Sequence, residues 1–175
     1  MNPDKLAKVQ EEVDQELGDR MPTMQDLDRL KFVTMVLKET MRLIPPAGII
    51  LREAAEDVVV GDYHFPKGAG VLVSPYAVHH DEQVWDRPEE FHPERFDEED
   101  PNVRSRHPLA WLPFGAGPRN CIGQRFAMME AKAVLGVLCR RFVLSVDPTH
   151  PVAIHPGITL RPRNDIKVQF SKRAH

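Results

Sequence analysis

The chain has 175 residues, of which 42% are hydrophobic and 28% charged, a composition typical of a soluble globular domain rather than a disordered segment. No apolar run approaches the roughly 18 residues of a membrane span, no secretory leader is visible, and 2 cysteines are too few for a disulfide framework. The net charge of -3 hides an asymmetry, because residues 119–175 carry 10 Lys or Arg but only 3 Asp or Glu. This basic end indicates either an anionic partner or salt bridges to the acidic remainder of the chain.

Residues 4–44 show the apolar spacing of amphipathic helices. Hydrophobic side chains recur every three or four positions over residues 4–17 and again over residues 27–43. Thr23 and Asp26 form a plausible capping pair before the second run. Two consecutive prolines end that run, since proline cannot continue a helix. Two helices are therefore predicted here.

After residue 44 the pattern changes. Short β-branched runs separated by Gly and Pro turns predict a small antiparallel meander over residues 49–73. A short helix is predicted at 75–80. Residues 81–120 hold no period and contain 6 prolines, yet their aromatic side chains indicate an ordered, packed stretch. A long helix over 121–142 and β hairpins over 143–175 complete the prediction, with strands at 143–146, 158–160 and 166–170.

The segment that carries chemistry is residues 114–123. Cys121 lies directly before the predicted long helix, where unpaired N–H groups and the helix dipole favour the thiolate. Gly115 and Gly117 allow a tight turn and a close approach to a flat partner. Arg119 can pair with an anionic group near the sulfur. The pattern indicates a thiolate offered to a cationic or metal centre, and the alternative is a buried structural cysteine.

This segment resembles the haem-binding loop of the cytochrome P-450 family of haem-thiolate monooxygenases. The family pattern Phe-x-x-Gly-x-Arg-x-Cys-x-Gly is met by Phe114, Gly117, Arg119, Cys121 and Gly123. Five fixed identities at these spacings are a strong match. The resemblance implies haem b (iron protoporphyrin IX) as the cofactor and Cys121 as the ligand of its iron. It implies no catalytic side chain in this chain beyond that ligand.

Two further motifs agree with the resemblance. Glu39 and Arg42 match the family's Glu-x-x-Arg, whose spacing places both side chains on one helix face. Arg95 belongs to the matching Phe-x-Pro-Glu-Arg-Phe segment. The resemblance implies a Glu39–Arg42–Arg95 network with a structural role, which would hold the irregular stretch 81–120 against the helix.

The resemblance also implies how the haem and substrate are contacted. Arg119 and Arg52 are the expected partners of the two haem carboxylates, although Arg52 could be an ordinary exposed strand-edge residue. Phe114 is expected to pack beside the thiolate and shelter it from water. Substrate-facing positions are matched by Ala47, Gly48, Ile49, Ile50, Ile158 and Thr159. These are apolar except for Thr159 and imply an apolar substrate, with ordinary core packing as the alternative.

The fold class implied is mainly α with small β-sheets (α+β), the C-terminal part of the cytochrome P-450 fold. The family's enzymes are more than twice this length, and no segment here matches their oxygen-handling distal helix or their N-terminal helices. The chain is therefore expected to be a C-terminal fragment, residues 1–175 forming a single unit. It is expected to be cytoplasmic and soluble as given, with a membrane anchor upstream as the open alternative.

The implied reaction is the insertion of one oxygen atom from dioxygen into an apolar small molecule. Electrons would come from a ferredoxin- or flavodoxin-like donor, and no nucleic-acid partner is expected. Candidate docking residues for that acidic donor are Arg119, Arg125, Lys132, Arg140 and Arg141. The isolated chain is expected to be inactive. The alternatives are a non-catalytic haem-binding fragment and an unfolded remnant. Cys139 is expected to be buried and inert.

Overall fold

The structure is a computed structural model that describes residues 2–18, 20–155 and 157–173. Its α-helices are α1 (Pro3–Leu17), α2 (Met24–Arg29), α3 (Lys31–Leu43), α4 (Pro75–His79), α5 (Pro101–Arg104) and α6 (Gln124–Arg141). Single 3₁₀ turns cover Pro93–Phe96, Pro108–Ala110 and Gly117–Arg119. The strands are β1 (Ile50–Glu53), β2 (Val58–Val60), β3 (Tyr63–Phe65), β4 (Gly70–Val73), β5 (Phe142–Val146), β6 (Ile154–His155), β7 (Arg161–Pro162) and β8 (Val168–Lys172). The predicted α+β class is confirmed. In the described part of the chain, no helix combines the length and apolarity required to cross a membrane.

The main core lies where α1, α3 and α6 pack together. Its buried side chains include Val13, Leu17, Val33 and Cys139. Gly136 permits close approach of α6 to α1, because a Cβ at that position would lie 3.1 Å from a Leu17 methyl carbon. Burying the apolar faces of three helices in this way stabilises the scaffold on which the rest of the chain is mounted.

The single helix predicted over residues 27–43 is wrong, because the chain breaks at Leu30 into α2 and α3. A capping box starts α2, in which the Thr23 N–H donates to the Asp26 carboxylate and the Asp26 N–H donates to the Thr23 hydroxyl. Glu12 of α1 starts α3 by accepting the N–H groups of Phe32 and Val33, at 2.7 and 2.8 Å. A carboxylate from a different helix therefore supplies the cap that the local sequence lacks.

The strands of 49–73 form two nested hairpins rather than a meander with successive pairing. β1 pairs with β4, placing Arg52 opposite Val71, while β2 and β3 form the inner hairpin. The predicted strand at 158–160 is also wrong, since Thr159 makes an isolated bridge to Ala47 and the short strands β6 and β7 lie on either side. β8 begins two residues later than predicted and pairs with β5.

Two arginines near the C-terminus fasten α1 to α6 and β8. Arg140 is buried and its guanidinium donates to the carbonyls of Gly18 and Arg20, at 2.7 and 2.6 Å. Arg173 forms an ion pair with Asp14 at 2.6 Å and donates to the Cys139 carbonyl at 3.0 Å. Part of the basic end is thus used inside the fold, where it closes the C-terminal end of α1.

Candidate functional site

A buried ion-pair network joins α3 to the irregular stretch. Glu39 and Arg42 are both fully buried, and the Glu39 carboxylate accepts from Arg42 Nε at 2.7 Å and Nη2 at 3.0 Å. It also accepts from Arg95 Nε at 3.1 Å and from the His92 N–H at 2.9 Å. The three side chains expected to form a network are therefore in contact. With four donors on one carboxylate, the desolvation of the buried charge is offset by hydrogen bonds.

The two arginines use their remaining donors on backbone carbonyls. Arg42 donates to the carbonyls of His79 at 2.7 Å and Glu90 at 3.2 Å. Arg95 donates to those of Asp86 at 2.8 Å and Arg87 at 3.2 Å. These bonds explain how a stretch with little regular structure is ordered, because its backbone groups find side-chain partners instead of helix or sheet partners.

An aromatic row runs from this network to the cysteine loop. Ring centroids are 5.6 Å apart for Trp85 and Phe96, 5.8 Å for Phe96 and Trp111, and 6.2 Å for Trp111 and Phe114. Trp85 is buried, and the Arg106 guanidinium lies 4.2 Å from its ring centroid. Burial lowers the pKa of Arg106, and the neighbouring Arg95 charge lowers it further. The Trp85 indole N–H has no partner within the described residues.

The loop that carries Cys121 is a glycine turn closed by backbone bonds. Gly115 and Gly117 have φ of 72° and 75°, the left-handed region that favours glycine. The Gly115 N–H donates to the Leu112 carbonyl at 3.0 Å, and the Cys121 N–H donates to the Phe114 carbonyl at 2.9 Å. The Cys121 side chain is exposed. The helix begins at Gln124 rather than directly after the cysteine, with Gly123 as its first cap residue.

Of the two candidate carboxylate partners, Arg119 lies within this loop and Arg52 lies on strand β1. Arg119 is exposed in the 3₁₀ turn just before Cys121. Arg52 is exposed on β1 and donates to the Leu51 carbonyl at 2.9 Å. Neither arginine forms an ion pair with a residue that the structure describes. A cavity of about 300 Å³ is lined by both Arg52 and Ala116, so Arg52 borders the cysteine loop.

The two segments expected to face a substrate are brought together. Ala47 forms a backbone bridge with Thr159, and the Leu160 side chain packs directly on Gly48. Ile50 reaches the cysteine loop, because its Cδ1 lies 3.6 Å from where a Cβ on Gly115 would be. The remaining members of the set are Ile49, which is partly buried, and Ile158, which is exposed.

The side chains around Cys121 fit a haem better than a metal ion that is bound by protein ligands alone. Within 2–18, 20–155 and 157–173, no group of three or more His, Cys, Asp or Glu side chains is placed to hold a metal ion. Cys121 offers a single sulfur ligand, which would suffice to hold a haem, because the porphyrin brings its own ligands to the iron. Arg119 and Arg52, which form no ion pair within the described residues, suit the acidic groups of that cofactor. Exposed apolar side chains suit its flat ring, since Ile122 is 103% and Phe126 66% exposed.

Comparison with known proteins identifies the class. The family model for cytochrome P450 matches residues 1–170, and the chain therefore belongs to the cytochrome P450 family. The family implies a haem cofactor, and the described fold is consistent with part of the P450 fold.

Individual relatives agree with this membership. Cytochrome P450 4V2 of Mus musculus is 42% identical over 175 residues, a match that covers 98% of this chain and 33% of the relative. Cytochrome P450 4X1 of Rattus norvegicus is 40% identical, and the match covers 98% of this chain and 34% of that relative. The protein LUTEIN DEFICIENT 5, chloroplastic, of Arabidopsis thaliana is 36% identical, and the match covers 98% of this chain and 29% of that relative. The chain thus spans about a third of the length of these relatives.

The expected set of docking cations needs one correction. Arg140 is buried and occupied by carbonyl groups, so it is not available to a partner surface. Lys132 is partly buried, and its ammonium donates to the Leu27 carbonyl at 3.1 Å. Arg119, Arg125 and Arg141 remain exposed. The sequence shows which residues are basic, but it does not show which of them form hydrogen bonds inside the fold.

Sequence reasoning missed three residues that contact the network: His79, Trp85 and Arg106. Each lies outside the recognised motifs and has partners far along the chain. The one available signal was the apolar ring of Trp85 in an irregular stretch, which indicated packing but not a partner.

Proposed function

We propose that this chain is the haem-binding part of a cytochrome P450 monooxygenase that inserts one oxygen atom from dioxygen into an apolar organic substrate. The observation that supports this most directly is the exposed Cys121 on a glycine-turned loop, in a chain of this family. When bound, a thiolate-ligated haem supplies the activation of dioxygen.

The proposed roles of the chain's own residues follow from their positions. Cys121 binds the iron, and the bond from its N–H to the Phe114 carbonyl keeps its backbone from rotating away. Arg119 and Arg52 pair with the two haem carboxylates and so orient the ring. Phe114 excludes water from the sulfur, which strengthens electrostatic effects there. Gly117 and Gly123 keep the backbone close to the ring because they carry no side chain.

The proposed substrate contact is the surface made by Ala47, Gly48, Ile49, Ile50, Ile158 and Thr159. Apolar side chains at this surface favour an apolar substrate through burial of hydrocarbon. Thr159 adds one hydroxyl that can orient a polar group of the substrate. Ile50 is the member placed next to the cysteine loop, so it is the one expected to influence where the substrate is oxidised.

The proposed electron donor is an acidic ferredoxin- or flavodoxin-like protein that docks near Arg125, since Lys132 already donates to the Leu27 carbonyl. Arg125 lies on the first turn of α6, beside the cysteine loop, and is exposed. Its replacement by Gln should slow reduction of the haem at low salt, because charge complementarity mainly raises association rates. Lys172→Gln is the matched control, because Lys172 is exposed on β8 and pairs with Phe142, beyond the opposite end of α6 from Arg125. An unchanged reduction rate for R125Q would remove this docking proposal.

We further propose that residues 1–175 alone do not turn over substrate. The face around Cys121 is open to solvent within the described residues, as Ile122 and Phe126 show. A bound haem would leave one side to water, which opens routes for loss of reactive species without product. This open face also supports the second candidate, a haem-binding piece without catalysis.

The proposal is tested by supplying ¹⁸O-labelled dioxygen, an electron donor and a panel of apolar substrates to two haem-loaded proteins. One protein is the present chain, and the other is a hybrid that carries the N-terminal part of Cytochrome P450 4V2 before it. The hybrid should give product with one labelled oxygen, whereas its C121S variant and the present chain should not. Labelled product from C121S would refute the assignment, and product from the present chain would refute its inactivity.

A further inference from the structure

We infer that His79 is a positioning residue, which transmits the order of the Glu39–Arg42 ion pair to the loop that carries Cys121. The inference extends the proposed function, because it takes Cys121 as the residue whose placement matters.

The imidazole lies between the end of α3 and the segment before the cysteine loop, which the Trp111 indole also joins to α3 by donating to the Lys38 carbonyl at 3.1 Å. His79 is the last residue of α4 and is fully buried. Its Nδ1 lies 3.1 Å from the Arg42 carbonyl oxygen, and its Nε2 accepts from the Leu112 N–H at 3.0 Å. Arg42 returns a bond from Nη1 to the His79 carbonyl at 2.7 Å. The residue is therefore bonded twice to the end of α3 and once to the segment before the cysteine loop.

These contacts fix the protonation state of the ring. A backbone N–H can only donate, so Nε2 must present a lone pair to Leu112. A carbonyl oxygen can only accept, so Nδ1 must carry the proton. The ring is thus neutral with its proton on Nδ1, and a second proton would place two donors face to face. Burial, together with the neighbouring Arg42 charge, lowers the pKa of His79 to about 4, in agreement with a neutral ring.

Two backbone hydrogen bonds connect Leu112 to Cys121. The Leu112 carbonyl accepts the Gly115 N–H at 3.0 Å, which closes the turn that contains Phe114. The Phe114 carbonyl then accepts the Cys121 N–H at 2.9 Å. Loss of the bond from His79 would leave a buried N–H at Leu112 without a partner, and the first link of this series would loosen.

Two substitutions separate this role from simple anchoring of α4. In His79→Gln, Oε1 can occupy the place of Nε2 and accept from Leu112, while the bond to the Arg42 carbonyl is lost. In His79→Asn, Nδ2 can occupy the place of Nδ1 and donate to Arg42, while Leu112 loses its acceptor. His80→Asn is the matched control, since within the described residues the hydrogen bond of the His80 side chain is local, to the Tyr76 carbonyl of α4.

The test is amide hydrogen exchange of the full 175-residue chain without haem, with circular dichroism to verify that each variant is folded. H79N should raise exchange at the Leu112 and Cys121 amides by about ten-fold or more, while H79Q and H80N stay near wild type. Wild-type protection in H79N, or equal loss in H79Q and H79N, would overturn the inference.

A second readout uses the haem. With haem and carbon monoxide under reducing conditions, H79N should show a smaller thiolate-type, red-shifted fraction of the Soret band than H79Q. Equal fractions in the two variants would also overturn the inference. If no variant, including wild type, gives a red-shifted band, then the proposed function fails while the exchange data still decide the role of His79.

Discussion

Acidification should destabilise the fold through His79 before it affects the carboxylates. The pKa of this buried imidazole is lowered from an ordinary 6.5 to about 4, because burial and then the Arg42 charge disfavour its protonated form. In the unfolded chain His79 therefore binds a proton below about pH 6.5, whereas in the folded chain it binds one only below about pH 4. Stability must fall as the pH drops through this window and is fully present above it.

The magnitude follows from the two pKa values. Between about pH 7 and about pH 5, the linkage relation gives a loss of up to about 2 kcal/mol in the free energy of unfolding. Among the described residues, the pKa of His79 is lowered, after burial, by the charge of Arg42 and by His80 where that ring is protonated. Glu94, whose pKa is lowered to about 2 by its bonds to Lys5 and Lys8 against the effect of burial, loses its contribution only below its ordinary value of 4.5.

Urea unfolding at several pH values, followed by circular dichroism, measures this loss. The H79Q variant is the reference, because glutamine keeps the acceptor for Leu112 but does not titrate. Wild type should lose about 2 kcal/mol more than H79Q between about pH 7 and about pH 5. Equal pH slopes for the two proteins would refute the reasoning, since every other titrating group is common to both.

Three further substitutions test the scaffold and the cofactor contacts. Glu39→Gln should lower the free energy of unfolding by about 3–5 kcal/mol in urea titrations, because it leaves buried arginine charge uncompensated; a loss below about 1 kcal/mol would contradict the network's role. Arg140→Ala should lower the free energy of unfolding by about 1–3 kcal/mol, because two carbonyls lose their donor. Arg141→Ala, at an exposed position, should be nearly neutral. Equal effects would contradict the role of Arg140 at the C-terminal end of α1. Replacing Arg119 or Arg52 by Gln should weaken haem binding in absorbance titrations by about ten-fold each, and unchanged affinity would remove that residue as a carboxylate partner.

Local patterns were sufficient for the elements whose partners lie nearby in the chain. The helix at the start follows from its apolar spacing, and the capping box of Thr23 and Asp26 was visible as a pair three residues apart. The contacts among Glu39, Arg42 and Arg95 came from a resemblance to a family. Spacing alone places only Glu39 and Arg42 on one face.

Distant partners explain what the sequence did not reveal. The break at Leu30 depends on Glu12, a carboxylate some twenty residues earlier that caps α3. The use of Arg140 depends on the end of α1, which lies more than a hundred residues away in the chain. His79 bonds at once to Arg42 and Leu112, and no local pattern can indicate such a bridge. Non-local hydrogen bonds, rather than weak propensities, account for these differences.

The most direct test of the account is the reduced carbon monoxide spectrum of the haem-reconstituted chain. Cys121 is exposed next to the apolar side chains of Ile122 and Phe126, which suit a haem ring. Cys139 is buried, and burial raises the pKa of its thiol to about 11, which keeps it protonated. We expect a strongly red-shifted Soret band in wild type and in C139S, and its absence in C121S. A red-shifted band that survives in C121S, or a free-haem spectrum in all three proteins, would contradict it.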